Sequence, residues 1–219
     1  MDRLILKVCG VRTPDGARAC VQSAVDFAGL NFVPGRRRAV GIDLARGLVA
    51  MLGPVRPVGV FVDATADEVV RVATAVGLRW VQLHGAEPPE TCAQLRSAGL
   101  RVIKALPVDD DLPTAVARFA GVVDALLFDG AVAGSGQRWN WQRLEGVSRA
   151  TPFLVAGGLT PSNVAQAVAR LTPTGVDVAS GVETDGQLDP ERVQAFCATA
   201  RLAALAVPAH ARTNWGGLQ

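Results

Sequence analysis

Short, almost wholly apolar segments recur along the chain and are rich in valine, leucine and phenylalanine. Parallel strands that are covered by helices are apolar throughout, so these segments predict buried β-strands. There are eight of them: "LILKVC" (4–9), "DFAGLNFV" (26–33), "PVGVFV" (57–62), "RWVQLH" (79–84), "RVIKAL" (101–106), "DALLFD" (124–129), "PFLVAGG" (152–158) and "GVDVAS" (175–180).

The segments between these strands carry apolar residues at three- and four-residue spacing, and several open with threonine or proline. Both features predict amphipathic helices that pack outside a sheet. The clearest are "PDGARACVQSA" (14–24), "TADEVVRVATAVG" (65–77), "PPETCAQLRSAG" (88–99) and "TPSNVAQAVARL" (160–171). The sequence signal for a helix after the sixth strand is weak, because many residues of "GAVAGSGQRWNWQRL" (130–144) are typical of a loop.

The strand-to-strand spacing indicates the fold. Each strand-helix step takes roughly 25 residues, as in a (β/α)8 TIM barrel. We therefore predict α/β architecture with a single barrel over residues 1–207, followed by a disordered tail, "PAHARTNWGGLQ" (208–219). A doubly wound open sheet is the competing fold, but it usually has fewer strands and a glycine-rich fingerprint after the first, where this chain has "CGVR".

Composition narrows the class of partner. The chain has 219 residues, 49% of them hydrophobic, and a net charge of +2. This balance gives neither the basic stripe of a nucleic-acid binder nor a membrane-binding patch, so we expect a small-molecule partner. No apolar run approaches the roughly 20 residues that cross a bilayer, and "MDRLILK" lacks the features of a secretory signal. We expect a cytoplasmic protein.

The cysteines and histidines do not predict a metal site. Cys9, Cys20, Cys92 and Cys197 form no C-x-x-C pair, and the chain has only two histidines. No zinc spacing can be assembled from them, so we expect free thiols and no metal.

Candidate chemistry lies at the carboxyl ends of the strands, where barrels of this kind place their sites. Alternation along the first strand puts Lys7 and Cys9 on one face, and if that face is the barrel interior Lys7 needs an acid such as Asp177 on the neighbouring eighth strand. Lys7 would also lower the pKa of Cys9 below its free value of about 8.5 and make the thiol a usable proton acceptor. The alternative for Cys9 is a small buried hydrophobic residue.

Three further polar residues end strands, and two of them, Asp129 and His84, have a structural alternative. Asp129 follows the sixth strand and could serve only to cap a loop. His84 ends the fourth strand, where packing and hydrogen bonding at the strand end are favoured over acid-base work. Ser180 ends the eighth strand, and the loop after the second strand supplies "PGRRRAV" (34–40).

Glycine-rich loops follow the last three strands: "AGSGQ" (133–137), "VAGGL" (155–159) and "ASGVE" (179–183). Glycines let backbone N–H groups approach an anion, and the loops after strands seven and eight bind substrate phosphate in many barrels. The loops therefore favour a phosphorylated substrate.

A set of motifs resembles the phosphoribosylanthranilate isomerase family. They are "KVCG", F-x-P-x-x-x-R (32–38), "VGVFVD", "VQLHG", "LLFDG…GSGQRWNW", "VAGGLTPSNV" and "GVDVASGVETDGQLDPERVQAF", spread over residues 4 to about 200. The resemblance implies an Amadori rearrangement of phosphoribosylanthranilate to 1-(2-carboxyphenylamino)-1-deoxyribulose 5-phosphate in tryptophan biosynthesis, with no metal or organic cofactor.

The resemblance also implies roles for individual residues. Cys9 would be the general base that takes the proton from the sugar C2′, and Asp129 the general acid that protonates the ring oxygen. Arg38 would bind the anthranilate carboxylate, with Arg36 and Arg37 as alternatives because "RRR" stands where the family often has Ser-Pro-Arg. His84 and Asp177 are also expected to bind substrate. The phosphate would be bound by Gly157, Gly158, Ser180 and Gly181.

Two other functions stay open. An isomerase that also takes the histidine-pathway aminoaldose would typically carry an aspartate at the end of strand one, where this chain has Cys9. A silent phosphate-binding barrel would lack an acid or a base, whereas both are present. The sequence does not choose between a monomer and a homodimer.

Overall fold

The computed structural model describes residues 3–130, 141–144, 147 and 149–207. The predicted glycine loop "AGSGQ" and the predicted disordered tail (208–219) lie outside these residues. None of the helices in the described part of the chain is long and apolar enough to cross a membrane.

Eight parallel strands close into a barrel in sequence order, with the last strand paired to the first. All eight predicted strands are present, so the predicted TIM barrel is confirmed. The strands are β1 (Ile5–Cys9), β2 (Phe27–Asn31), β3 (Arg56–Phe61), β4 (Trp80–Leu83), β5 (Arg101–Pro107), β6 (Ala125–Asp129), β7 (Phe153–Val155) and β8 (Gly175–Val178).

Seven α-helices surround the barrel in the described residues. Between β6 and β7 these residues contain only a short 3-10 helix, Trp141–Leu144, in agreement with the weak helical signal there. The helices are α1 (Pro14–Gln22), α2 (Ile42–Met51), α3 (Ala66–Val76), α4 (Pro89–Ser97), α5 (Leu112–Phe119), α6 (Val164–Leu171) and α7 (Pro190–Leu205).

Helix ends follow from local side-chain chemistry. Thr65 and Glu68 form a capping box at the start of α3, and Gly77 ends that helix in the left-handed conformation. Helix α6 begins at Val164, later than the predicted Thr160, because Asn163 Oδ1 accepts a hydrogen bond from the Thr160 amide and holds these residues in a turn. The same Asn163 donates its Nδ2 to the Gly158 carbonyl, which shapes the loop after β7.

The interior of the barrel is filled by large apolar side chains at its amino-terminal end. Ile5, Phe27, Val58, Trp80 and Ile103 all belong to this buried cluster, and the rings of Phe27 and Trp80 pack edge to face with centroids 5.0 Å apart. A second core lies between the strands and the helices. Because the lower barrel is packed, polar residues on the inner faces of the strands lie at the carboxyl-terminal mouth.

Candidate active site

A cavity of about 500 Å³ lies at the carboxyl-terminal mouth of the barrel. Its wall contains every residue that the sequence analysis assigned to catalysis or substrate binding: Cys9, Arg38, His84, Asp129, Gly157, Gly158, Asp177, Ser180 and Gly181. These residues come from six different strands or the loops after them. The barrel therefore brings together side chains that are far apart in the sequence.

Lys7 and Asp177 form a buried ion pair at the floor of this cavity. They are register partners on β1 and β8, and Lys7 Nζ donates to Asp177 Oδ1 over 3.0 Å. This confirms that an acid from the eighth strand pairs with Lys7. Burial acts to lower the pKa of Lys7, but the attraction of Asp177 and Cys9 outweighs it and raises that pKa, so Lys7 carries its charge at neutral pH.

Cys9 ends β1 directly above this pair, in a half-buried position. Gly29 is its register partner on β2, and a β-carbon at Gly29 would lie 2.8 Å from Cys9 Sγ, so only glycine leaves room for the thiol. Burial raises the pKa of Cys9, and the opposing effects of Lys7 and Arg38 do not cancel it. The expectation of a lowered pKa was therefore wrong, because desolvation of the thiolate outweighs the neighbouring positive charges.

Asp129 ends β6 and faces the cavity from another part of the barrel wall. Its Oδ2 lies 3.1 Å from His84 Nε2, and His84 Nδ1 lies 2.8 Å from Nε2 of Gln82. Both ring nitrogens of His84 thus contact protein groups, as favoured for a histidine at a strand end. Gly157 leaves room for the acid, because a β-carbon there would lie 2.8 Å from Asp129 Oδ1.

Two of the three arginines after β2, Arg37 and Arg38, are held by one carboxylate. Arg38 donates Nε to Glu183 Oε1 over 2.6 Å and Nη2 to Glu183 Oε2 over 2.9 Å. Arg37 donates to Glu183 Oε2 over 2.6 Å and to the Gly186 carbonyl. Burial acts to raise the pKa of Glu183, but the hydrogen bonds from Arg38 and Arg37 lower it below its usual value, so Glu183 is ionised.

The loop after β2 and the hairpin after β8 position the two sides of this ion pair. The loop after β2 is closed by a bridge between Asn31 and Ala39, and the Phe32 ring stacks on Phe61 at 5.4 Å. On the other side, Glu183 opens the hairpin of β9 (Glu183–Thr184) and β10 (Gln187–Leu188), which precedes α7.

The loops after β7 and β8 pack directly on each other. Gly157 and Gly158 have positive φ angles of 78° and 68°, which L-residues adopt only with strain. A β-carbon at Gly181 would lie 1.8 Å from the Leu159 carbonyl oxygen. The two loops form a concave patch of backbone on the cavity wall, next to Ser180.

The sequence analysis missed polar residues of this site, among them Asn31 and Gln82 in the cavity wall and Glu183 at its rim. Gln82 sits within the apolar-looking run "WVQL", where nothing marks it as polar wall of a cavity. Glu183 is part of a motif quoted above, but no local signal pairs it with Arg38, 145 residues away in sequence. Within the described ranges, no group of three His, Cys, Asp or Glu side chains could hold a metal ion.

Comparison with known proteins decides the family. The family described as N-(5′-phosphoribosyl)anthranilate (PRA) isomerase matches residues 6–199. The chain belongs to this family. An N-(5′-phosphoribosyl)anthranilate isomerase of Myxococcus xanthus is 44% identical over 205 residues, which is 90% of this chain and 95% of the relative. The one from Desulforudis audaxviator is 39% identical over 203 residues, 90% and 98% of the two chains.

Solved structures of PRA isomerases have the same fold. The enzyme from Thermus thermophilus superposes with a TM-score of 0.82 at 33% identity, covering 92% of this chain and all of its own. A second PRA isomerase, solved in complex with reduced 1-(o-carboxyphenylamino)-1-deoxyribulose 5-phosphate, gives a TM-score of 0.80 at 31% identity, with 90% and 98% coverage. A structure of monomers generated from the dimeric PRA isomerase of Thermotoga maritima gives a TM-score of 0.79 at 30% identity, over 90% of this chain and 98% of its own. These findings confirm the resemblance seen in the sequence and the assignment to the isomerases.

Proposed function

We propose that this chain converts N-(5′-phosphoribosyl)anthranilate to 1-(2-carboxyphenylamino)-1-deoxyribulose 5-phosphate in tryptophan biosynthesis, with Cys9 as general base and Asp129 as general acid. The observation that carries the residue roles is the placement of this thiol and this carboxyl on the wall of one cavity. They end β1 and β6, so they approach a bound ribose from separate strands.

The acid step opens the sugar ring. Asp129 gives its proton to the ring oxygen, the C1′–O bond breaks with its electrons on that oxygen, and the nitrogen lone pair forms a protonated Schiff base at C1′. Proton transfer by a positioned carboxyl group typically accelerates such a step by about 10² to 10⁴.

The base step follows at the adjacent carbon. The Cys9 thiolate removes the proton from C2′, the electrons of that C–H bond form the C1′–C2′ double bond, and the electrons of the C1′=N double bond return to nitrogen. The resulting enolamine gains a proton at C1′ and loses the proton of its 2′-hydroxyl group, which gives the ketone. Because burial raises the pKa of Cys9, the thiolate depends on the positive charges beside it, Lys7 and Arg38. The chain thus supplies both proton transfers from its own side chains.

The rest of the cavity wall binds the substrate in this proposal. Backbone groups of Gly157, Gly158, Ser180 and Gly181 hold the phosphate, since glycine-rich turns let N–H groups approach an anion. Arg38 binds the anthranilate carboxylate. It has five N–H donors and uses two of them on Glu183, so a second carboxylate can be bound by the others. His84 and Asp177 lie along the ribose.

Several assignments stay predictions. They are the cytoplasmic location, the domain limits 1–207, the absence of a cofactor, and the choice between monomer and homodimer. A dimeric relative makes the homodimer the form to look for first.

A steady-state assay tests the proposed function. The purified full chain is mixed with phosphoribosylanthranilate, and the loss of substrate fluorescence is followed in the presence of EDTA. We expect turnover at a rate that the chelator does not change. Absence of turnover, or conversion of only the histidine-pathway aminoaldose in a parallel assay, would overturn the proposal.

A further inference from the structure

Gln82 is a buried polar side chain in the wall of the active-site cavity, and it is 1% exposed. It lies on the inner face of β4, two residues before His84. Its side-chain nitrogen Nε2 lies 2.8 Å from His84 Nδ1. An amide nitrogen can only donate, so Nδ1 of His84 accepts this hydrogen bond. A neutral imidazole carries one proton, and this contact places that proton on Nε2.

The Nε2 proton of His84 points at the proposed acid. Nε2 lies 3.1 Å from Asp129 Oδ2, so the N–H donates to that oxygen. In a protonated carboxyl group the carbonyl oxygen is the stronger acceptor, so the bond from His84 favours Oδ2 as the carbonyl oxygen and places the acidic proton on Oδ1. Oδ1 lies against Gly157, a residue of the cavity wall.

We propose that Gln82 is a positioning residue for the general acid: by donating to Nδ1 it selects the Nε2–H tautomer of His84, which in turn orients Asp129. The inference rests on the proposed function. When the Oδ1 proton passes to the ribose ring oxygen, the negative charge left on Asp129 is stabilised by the Nε2–H of His84. The histidine keeps its proton throughout, so the transfer is balanced between Asp129 and the substrate.

The opposite orientation of the Gln82 amide would select the other tautomer of His84. Among the described residues Gln82 Oε1 is buried without a hydrogen-bond partner. If the amide turned by half a rotation, Oε1 would accept from Nδ1–H, and Nε2 of His84 would have no proton to give Asp129. The position of one proton on His84 therefore distinguishes the two arrangements.

Nitrogen-15 NMR of the full chain measures that position directly. The chain has only two histidines, His84 and His210, so a His210→Gln background labelled with ¹⁵N-histidine leaves the signals of His84 alone. At pH 8, above the ordinary histidine pKa of about 6.5, long-range ¹⁵N–¹H correlations separate the two tautomers. We expect Nε2–H. A dominant Nδ1–H tautomer, or a ring that is still doubly protonated, would overturn the proposal.

Gln82→Met supplies the functional test, because methionine keeps the shape and cannot donate. We expect a mixture of tautomers at His84 and a fall in kcat of about tenfold with KM changed less than about twofold, the effect of one lost positioning hydrogen bond. Gln94→Met makes the same chemical change on the exposed surface of α4 and should leave both constants unaltered.

The possible results separate this inference from the proposed function. Unchanged kcat together with an unchanged Nε2–H tautomer in Gln82→Met would overturn the role of Gln82 while the wild-type enzyme remains active. A wild-type chain without isomerase activity would overturn the proposed function instead. If Gln82→Met failed to fold, the wild-type spectrum would still decide the tautomer.

Discussion

Arg38 and Glu183 meet in a two-point ion pair at the rim of the barrel, although 145 residues separate them in the sequence. Such paired N–H···O contacts have a defined geometry that a lysine cannot reproduce. The pair fixes where the remaining donors of Arg38 are presented. Arg37 shares the same carboxylate from a more exposed position, with its side chain 51% exposed.

Arg38→Lys should therefore weaken substrate use. The lysine loses the two-point contact with Glu183 and the planar match to the anthranilate carboxylate. We expect kcat/KM to fall by roughly 10- to 100-fold, which corresponds to about 1.5 to 3 kcal/mol for a lost charged hydrogen bond. Steady-state kinetics with phosphoribosylanthranilate measure this loss.

Arg36→Lys and Arg37→Lys are the matched controls for that substitution. Both should be nearly silent, because Arg38 keeps both of its own contacts with Glu183 in each variant. If either control carried the loss while Arg38→Lys behaved like wild type, the carboxylate contact would belong to that other arginine.

Cys9→Ala should nearly abolish turnover and leave the fold intact. Removal of a general base costs about 10² to 10⁴ in kcat. Circular dichroism and thermal melting should match wild type, since the thiol is only half-buried. Cys92→Ala is the control: it removes a fully buried thiol that does not line the cavity, so it should lower Tm and retain kcat. Near-wild-type kcat in Cys9→Ala would exclude the thiol as the base.

The raised pKa of Cys9 predicts how its reactivity depends on pH. The thiolate is the reactive form, so a raised pKa means less of it at neutral pH and more as the pH rises. Alkylation of Cys9 by iodoacetamide, followed by mass spectrometry, should accelerate with pH with a midpoint above the ordinary value of about 8.5. Arg38→Gln should move that midpoint higher, because Arg38 favours the thiolate.

Arg36→Gln removes a positive charge from the same loop and should leave the midpoint of Cys9 where it is. A wild-type midpoint below that of a free thiol would contradict the structure. The other three cysteines are buried and should react slowly at every pH in the folded protein.

Asp129→Asn should lower kcat much more than it changes KM. The amide keeps the shape, and its oxygen can still accept from His84 Nε2, but it has no acidic proton to give. We expect a loss of about 10² or more in kcat. Asp110→Asn, on the exposed surface, serves as the control. A large rise in KM at constant kcat would make Asp129 a binding residue.

Inorganic phosphate should compete with substrate at the loops after β7 and β8. Gly158→Ala should weaken this inhibition by about tenfold, because the positive φ of Gly158 strains any L-residue and shifts the backbone donors. Gly99→Ala imposes the same kind of strain at φ 84°, away from the cavity, so it should reduce stability without changing the inhibition constant. Equal inhibition of wild type and Gly158→Ala would place the phosphate elsewhere.

The sequence predicts the barrel well for a physical reason. Strands enclosed by helices are apolar along their whole length, and their even spacing leaves one regular closed arrangement. Cys9 and Asp129 can be found by the same argument, because each is the polar residue that ends such a strand. The pairing of Lys7 with Asp177 follows from closure of the barrel.

What the sequence could not predict depends on distances across the folded mouth. The pKa of Cys9 is decided by the competition between burial of the thiol and the positive charges near it. Alternation along β1 shows that Lys7 lies on the same face as Cys9, but it does not show how strongly burial acts on the thiol. The contact of Glu183 with Arg38 needs the hairpin after β8 to reach the loop after β2. The role of Gln82 could not be predicted, because one amide side chain inside an apolar strand does not change the hydrophobic pattern of that strand.

The ion pair of Lys7 and Asp177 also orders events during synthesis of the chain. Lys7 leaves the ribosome 170 residues before its counter-charge Asp177, which arrives only with β8. Until then β1 has one unpaired edge, and enclosing the ammonium would bury a charge without compensation. The buried ion pair beside Cys9 therefore forms only when β8 joins the barrel. In a nascent chain that stops before β8, the Cys9 thiol should react like an ordinary free thiol.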